Sequence, residues 1–163
     1  MKFDINDGAI SIIDFDAIEA FKIACKIESD GIEFYSALAQ KTVNPDAKVL
    51  FMKLKTEEER HLEFFVKKLE QARSKAQESF EEDDLISYMD YGIFNDTKQA
   101  EILAVSGGDL KRALDYAINN EKVTVSFYNE CWMEISSFEG ASALKEIIKE
   151  EERHIDILKG LMQ

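Results

Sequence analysis

Proline occurs once in this chain and glycine seven times, so little in its 163 residues punctuates a helix. With Glu, Lys, Ala, Leu and Ile abundant, that shortage favours long helices over a strand-rich fold. The two cysteines, Cys25 and Cys131, belong to no CxxC pair, which excludes a redox dithiol, a zinc ribbon or a tetrathiolate iron site. They are expected as small, buried, reduced thiols. Positive charge is also short: 20 Lys and Arg face 33 Asp and Glu, and the net charge of −13 repels a phosphate backbone, so nucleic acid is not an expected partner. No stretch approaches the 18 or so consecutive apolar residues of a membrane span. The N-terminus "MKFDINDGAISIIDFD" is acidic, with neither a basic region nor a cleavage pattern. A soluble cytoplasmic protein with no membrane partner is the expectation, and the length suits a single domain over 1–163.

What is present is helical periodicity. From about Asp16 to Thr42, Ile18, Phe21, Ala24, Cys25, Ile32, Tyr35 and Leu38 recur at three- and four-residue steps, with one polar intruder, Glu28. "NPD" at 44–46 stops that helix and starts the next, Asn44 as cap and proline in the first turn. Over about 46–74 the inward positions read Val49, Leu50, Leu54, Leu62, Phe65 and Leu69, and Glu58 and His61 share their stripe. After Gly107-Gly108 a third helix is expected from Asp109 to about Ser136, with Leu110, Leu114, Ala117, Ile118, Val125, Tyr128 and Trp132 on one face and Glu121 interrupting it. A fourth, about 139–161, presents Leu144, Ile147, Ile148, Ile155 and Leu158, interrupted by Glu151 and His154.

The only two histidines lie in the two copies of one pentapeptide, "EEERH" at 57–61 and at 150–154. A shift of 93 residues lays the second pair of helices on the first without a gap: Glu28 on Glu121, Phe34-Tyr35 on Phe127-Tyr128, "EEERH" on "EEERH". The chain reads as a duplicated antiparallel helical hairpin, 16–74 and 109–161. The intervening 75–108 is too long for a turn and apolar enough to pack. It is expected to be a partly helical crossover running the length of a four-helix bundle, about 40 Å for helices of this size.

Glu58 and His61 are three residues apart, so their side chains leave the helix about 60° apart and can converge on one point. Glu28, Glu58, Glu121 and Glu151 at stripe positions place four carboxylates in one interior, where unpaired charge is costly. Two divalent ions balance them, and a neutral imidazole completes each ion's ligation. That oxygen-rich set suits iron or manganese over thiolate-seeking metals. One Glu from each of two helices and Glu-x-x-His from each of the other two is the general pattern of dinuclear carboxylate bundles. The ligands read from the sequence are Glu28, Glu58, His61, Glu121, Glu151 and His154. Glu57 and Glu150 also flank the stripe, four residues before each histidine; Glu58 and Glu151 are favoured. Tyr35 and Tyr128, about 10 Å along from Glu28 and Glu121, suit either a supporting hydrogen bond to a ligand carboxylate or ordinary core packing. Arg60 and Arg153 fit charge balance on the outer face.

Through "ESDGIEFY" at 28–35, "EKVTVSFY" at 121–128 and the two "EEERH" segments, nearly the whole chain resembles the rubrerythrin branch of the ferritin-like di-iron carboxylate superfamily. The resemblance implies an all-α ferritin-like four-helix bundle holding two iron ions per chain and reducing hydrogen peroxide to water in oxidative-stress defence, with both ferrous ions as electron donors. It also implies a homodimer. Rubrerythrins carry a second glutamate three residues after the third-helix ligand, to which one iron moves on changing oxidation state; this chain has Thr124 there. They also append a rubredoxin domain with two cysteine pairs, which these 163 residues do not contain, so the electrons are expected from a separate rubredoxin-like carrier. The alternative is ferroxidase-like iron oxidation, binding or storage. A substrate oxygenase and a bundle whose metals only staple the helices are further readings.

Overall fold

The computed structural model describes residues 2–6, 9–13, 17–76, 110–135 and 138–162. The expected crossover lies almost entirely outside them. The described residues belong to two compact units, one over 21–113 and the other over 1–20 with 114–163.

Two five-residue strands, β1 (Lys2–Asn6) and β2 (Ala9–Ile13), pair antiparallel with Lys2 opposite Ile13 and Asn6 opposite Ala9. The helical reading of the chain had assigned this stretch nothing. Its signal is local: β-branched and aromatic residues flank Asp7-Gly8, a dipeptide favoured in two-residue hairpin connections. Otherwise the described elements are helices: α1 (Ala17–Lys41), α2 (Pro45–Ala76), α3 (Leu110–Glu134) and α4 (Phe138–Gly160).

The first hairpin turns on Asn44. Its side-chain Oδ1 accepts hydrogen bonds from the amides of Asp46 at 3.0 Å and Ala47 at 3.1 Å, satisfying donors that the first turn of α2 leaves without helical partners. Pro45 follows at the one helical position where its missing N–H costs nothing. Cross-helix contacts then run in antiparallel order: Tyr35 stacks on Phe51, Gly31 meets Glu58, Glu28 meets His61 and Phe21 meets Phe65.

The buried stripe of α2 is Ala47, Phe51, Leu54, Glu58, His61, Phe65 and Leu69, spaced by three and four. Three inward positions expected from sequence are corrected. Val49 is 72% exposed, because it leaves the helix about 200° from Phe51; Leu50 and Leu62 are half-buried. Phe51 takes the place assigned to Val49 and is fully buried. On α1, Ile23, Ile27 and Phe34 join Ala24, Cys25, Tyr35 and Leu38 in the core, and Ile18, Phe21 and Ile32 are half-buried.

The second hairpin repeats the plan. Glu121 on α3 faces His154 on α4, and further along, Lys145 lies 5.6 Å from the ring centre of Trp132, again in antiparallel order. Leu144, Ile147, Ile148, Ile155 and Leu158 are all buried as expected. Trp132 is not: it stands at the solvent edge near the end of α3 under the Lys145 stem, and Cys131 takes the core position instead. Ala20, Ala24, Phe34 and Tyr35 and their counterparts Ala113, Ala117, Phe127 and Tyr128 are all buried, so the duplication extends from sequence to packing.

Three substitutions test this account by urea denaturation. Asn44→Ala is expected to cost about 1 kcal/mol through loss of the cap, Phe51→Ala about 3–5 kcal/mol through the cavity it leaves, and Val49→Ser less than about 0.5 kcal/mol. A large loss at Val49 with a small one at Phe51 would reverse the assigned phase of α2.

Candidate metal centre

Each hairpin buries a carboxylate, carboxylate, imidazole triad. In the first, α1 contributes Glu28 and α2 contributes Glu58 and His61; in the second, α3 contributes Glu121 and α4 contributes Glu151 and His154. None of the six is more than 3% exposed. Glu57 and Glu150, the neighbouring candidates, are half-buried, and Arg60 and Arg153 are exposed.

His61 turns Nδ1 toward both carboxylates of its hairpin, 3.4 Å from Glu58 Oε2 and 3.6 Å from Glu28 Oε2. His154 does the same, with Nδ1 2.9 Å from Glu151 Oε2 and 3.7 Å from Glu121 Oε1. Within each triad the ligating atoms lie within 4.8 Å of one another. Two ligands of one first-row ion, each about 2.1 Å from it, stand about 3.0–3.5 Å apart. The nitrogen–oxygen distances of 2.9–3.7 Å in the triads lie close to that separation.

Charge points the same way. Two carboxylates and one neutral imidazole carry −2 in each hairpin, the charge of one divalent cation, and ionised carboxylates taken out of water need such compensation. Oxygen donors with a single imidazole suit iron or manganese. The residues present therefore fit a metal ion in each triad.

Gly31 has a specific part in the first hairpin. A Cβ built on it would stand 3.3 Å from Cγ and 3.5 Å from Cδ of Glu58, so the missing side chain lets that carboxylate lie close against α1. Under the 93-residue shift its counterpart is Thr124, buried in α3. In the sequence Thr124 stands only as a departure from a family pattern, and Asn120, also buried, carries no motif. Both stood out in one respect: they are polar where the aligned first half has Gly31 and Ile27.

Tyr35 and Tyr128 are fully buried. Tyr35 packs edge-on to Phe34 at 5.3 Å and stacks on Phe51 at 6.4 Å, at the level of α2 seven residues before Glu58. Tyr128 packs on Phe127 at 5.8 Å. Cys25 and Cys131 are buried free thiols. Burial pushes each up to about 12, reinforced at Cys25 by the Glu28 carboxylate and at Cys131 by Glu130. None of the described helices is long and apolar enough to cross a membrane.

The Rubrerythrin family model matches residues 19–162, which include all six triad residues and both hairpins except the first two residues of α1. No match was found among curated proteins or among solved structures.

The thiols supply a pH test. An unfolded cysteine ionises near its ordinary value of 9.0 and the folded ones near 12, so the native state holds more protons between those values. The resulting stability is fully present below pH 9 and is lost as pH rises from 9 through 12. A thiolate-directed reagent at pH 8 is expected to leave both cysteines unmodified in native protein and to label both in denaturant. Rapid native labelling at pH 8 would contradict the burial assigned to them.

Proposed function

The chain belongs to the rubrerythrin family, a branch of the ferritin-like proteins, and from that membership and its two buried triads we propose that it is a di-iron oxidoreductase that reduces hydrogen peroxide. The observation that carries the proposal is the repetition of one charge-balanced triad, Glu28, Glu58, His61 and again Glu121, Glu151, His154, each suited to one divalent ion. Two iron ions, when bound, would supply the two electrons that, with two protons, convert hydrogen peroxide to two molecules of water.

The chain's own residues have separate tasks in this reading. The four carboxylates hold the positive charge and bias the site toward oxygen-ligated ions. His61 and His154 would hold an ion through Nδ1, the nitrogen each turns toward its carboxylates. Leu54, Phe65, Ile147 and Leu158 on the same stripes keep bulk water away, which strengthens the electrostatic interactions inside. Tyr35 and Tyr128 support the ligand shell from one end of each hairpin, and their hydroxyls are the proposed route for protons.

The proposed setting is the cytoplasm, and the proposed source of electrons is a separate rubredoxin-like carrier. The proposed assembly is a homodimer. Together these describe a peroxide-scavenging protein that is re-reduced after each turnover.

Anaerobic titration of the metal-free protein with ferrous iron tests the site, and is expected to saturate at two ions per chain. Glu58→Gln and Glu151→Gln are each expected to lower iron affinity by about 100-fold or more, since loss of a residue that merely orients a ligand already costs 10–100-fold. Saturating iron at about 1,000 times its dissociation constant should stabilise the fold by about 4 kcal/mol per site. In a stopped-flow instrument the reduced protein is expected to oxidise rapidly with peroxide and slowly with dioxygen. The reverse preference would establish ferroxidase-like iron oxidation instead, and no iron binding would refute both.

A further inference from the structure

Asn120 and Thr124 on α3 are 3% and 2% exposed, yet Asn120 Nδ2 and Thr124 Oγ1 have no hydrogen-bond partner among the described residues. Buried amides and hydroxyls are satisfied as a rule, by protein or by ordered water, because a dry one forfeits the bonds it made in solution. At a spacing of four residues the two side chains share a face of the helix, with Cβ atoms about 5–6 Å apart. A molecule the size of water spans that distance with a hydrogen bond to each. Glu121, the α3 member of the second triad, directly follows Asn120 and lies three residues, under one turn, before Thr124.

The duplication supplies a control within the same chain. A shift of 93 residues aligns Asn120 with Ile27 and Thr124 with Gly31, both buried in α1. Beside Gly31 the space is taken by the Glu58 side chain, 3.3 Å from where a Cβ would stand. The first hairpin thus has a hydrocarbon and no side chain where the second has an amide donor and a hydroxyl. The polarity is a property of the second half and not a requirement of the hairpin.

We propose that Asn120 and Thr124 form a subsite for one small hydrogen-bonding oxygen molecule, water in the resting protein and hydrogen peroxide during turnover. The inference deepens the peroxidase reading and rests on it for the second occupant. Asn120 Nδ2 donates to an oxygen of the guest. Thr124 Oγ1 accepts from the guest's O–H, or donates to its second oxygen when peroxide replaces water. Both ligands fit because each offers lone pairs and O–H donors, whereas an apolar molecule of the same size satisfies neither group. The pair sets the second hairpin apart from the first, and it lies on α3 next to Glu121 in the chain.

Two measurements on the full chain test the proposal. A high-resolution crystal structure of metal-free protein is expected to show one ordered water within about 3.2 Å of both Asn120 Nδ2 and Thr124 Oγ1. A dry space, or a direct bond between the two groups, would overturn the subsite. In iron-loaded protein, Asn120→Ile and Thr124→Val are each expected to keep two irons per chain and to raise KM for peroxide about ten-fold, the change that losing one hydrogen bond of about 1.4 kcal/mol produces. Each should raise KM proportionally more than it lowers kcat, and Thr124→Ser, which keeps the hydroxyl, should restore KM. Unchanged KM in both variants, or the same KM for Val and Ser, would overturn peroxide binding at this subsite. If wild-type protein binds iron but consumes no peroxide, the peroxidase reading fails, and the water between Asn120 and Thr124 still decides the subsite.

Discussion

The cost of burying a carboxylate governs this structure. Glu28, Glu58, Glu121 and Glu151 occupy positions that Leu or Ile would fill at no electrostatic penalty, on stripes that are otherwise apolar. Each hairpin concentrates two such groups around an imidazole nitrogen. A sequence that retains this arrangement twice gives up core stability in exchange for ligation. Other features accompany this in the first hairpin: large aromatic side chains on both sides of the acids, a glycine where one carboxylate lies against the neighbouring helix, and a well-capped turn at the start of α2.

The helices and their pairing were legible in the sequence because periodicity and duplication supported one another. Asn44-Pro45 marks a boundary through backbone chemistry that tertiary context does not override, and the structure starts α2 there. The six buried acids and histidines could be read because they interrupt an apolar stripe at equivalent places in both halves. The two strands escaped notice because a ten-residue ribbon carries no helical period, and its cue is a single Asp-Gly pair. Val49 and Trp132 were misplaced for a common reason. Apolar character alone does not fix the phase of a stripe when a larger neighbour such as Phe51, or a small one such as Cys131, competes for the same side.

Asn120 and Thr124 were harder to see, since an isolated asparagine or threonine in a helix ordinarily faces solvent or bonds its own backbone. Within their own helix only burial separates them from surface residues, and burial is a tertiary fact. Gly31 was similarly silent, as a helical glycine lowers confidence in a helix until the side chain that needs the room is known. Subtracting one half of the repeat from the other is the operation that exposes all three, because the duplication cancels what both hairpins need for folding.

The tight connection at residues 42–44 also has a kinetic consequence. It places each partner of the first triad within 33 residues of the others along the chain, and the second triad is equally local. Closing so short a loop costs little entropy, and helical hairpins rich in local contacts form in microseconds to milliseconds. Each triad is therefore a product of local hairpin closure. The same short separation that closes each hairpin brings its two acids and its imidazole together, so the charge is concentrated by local chain geometry and draws on no residue of the other half.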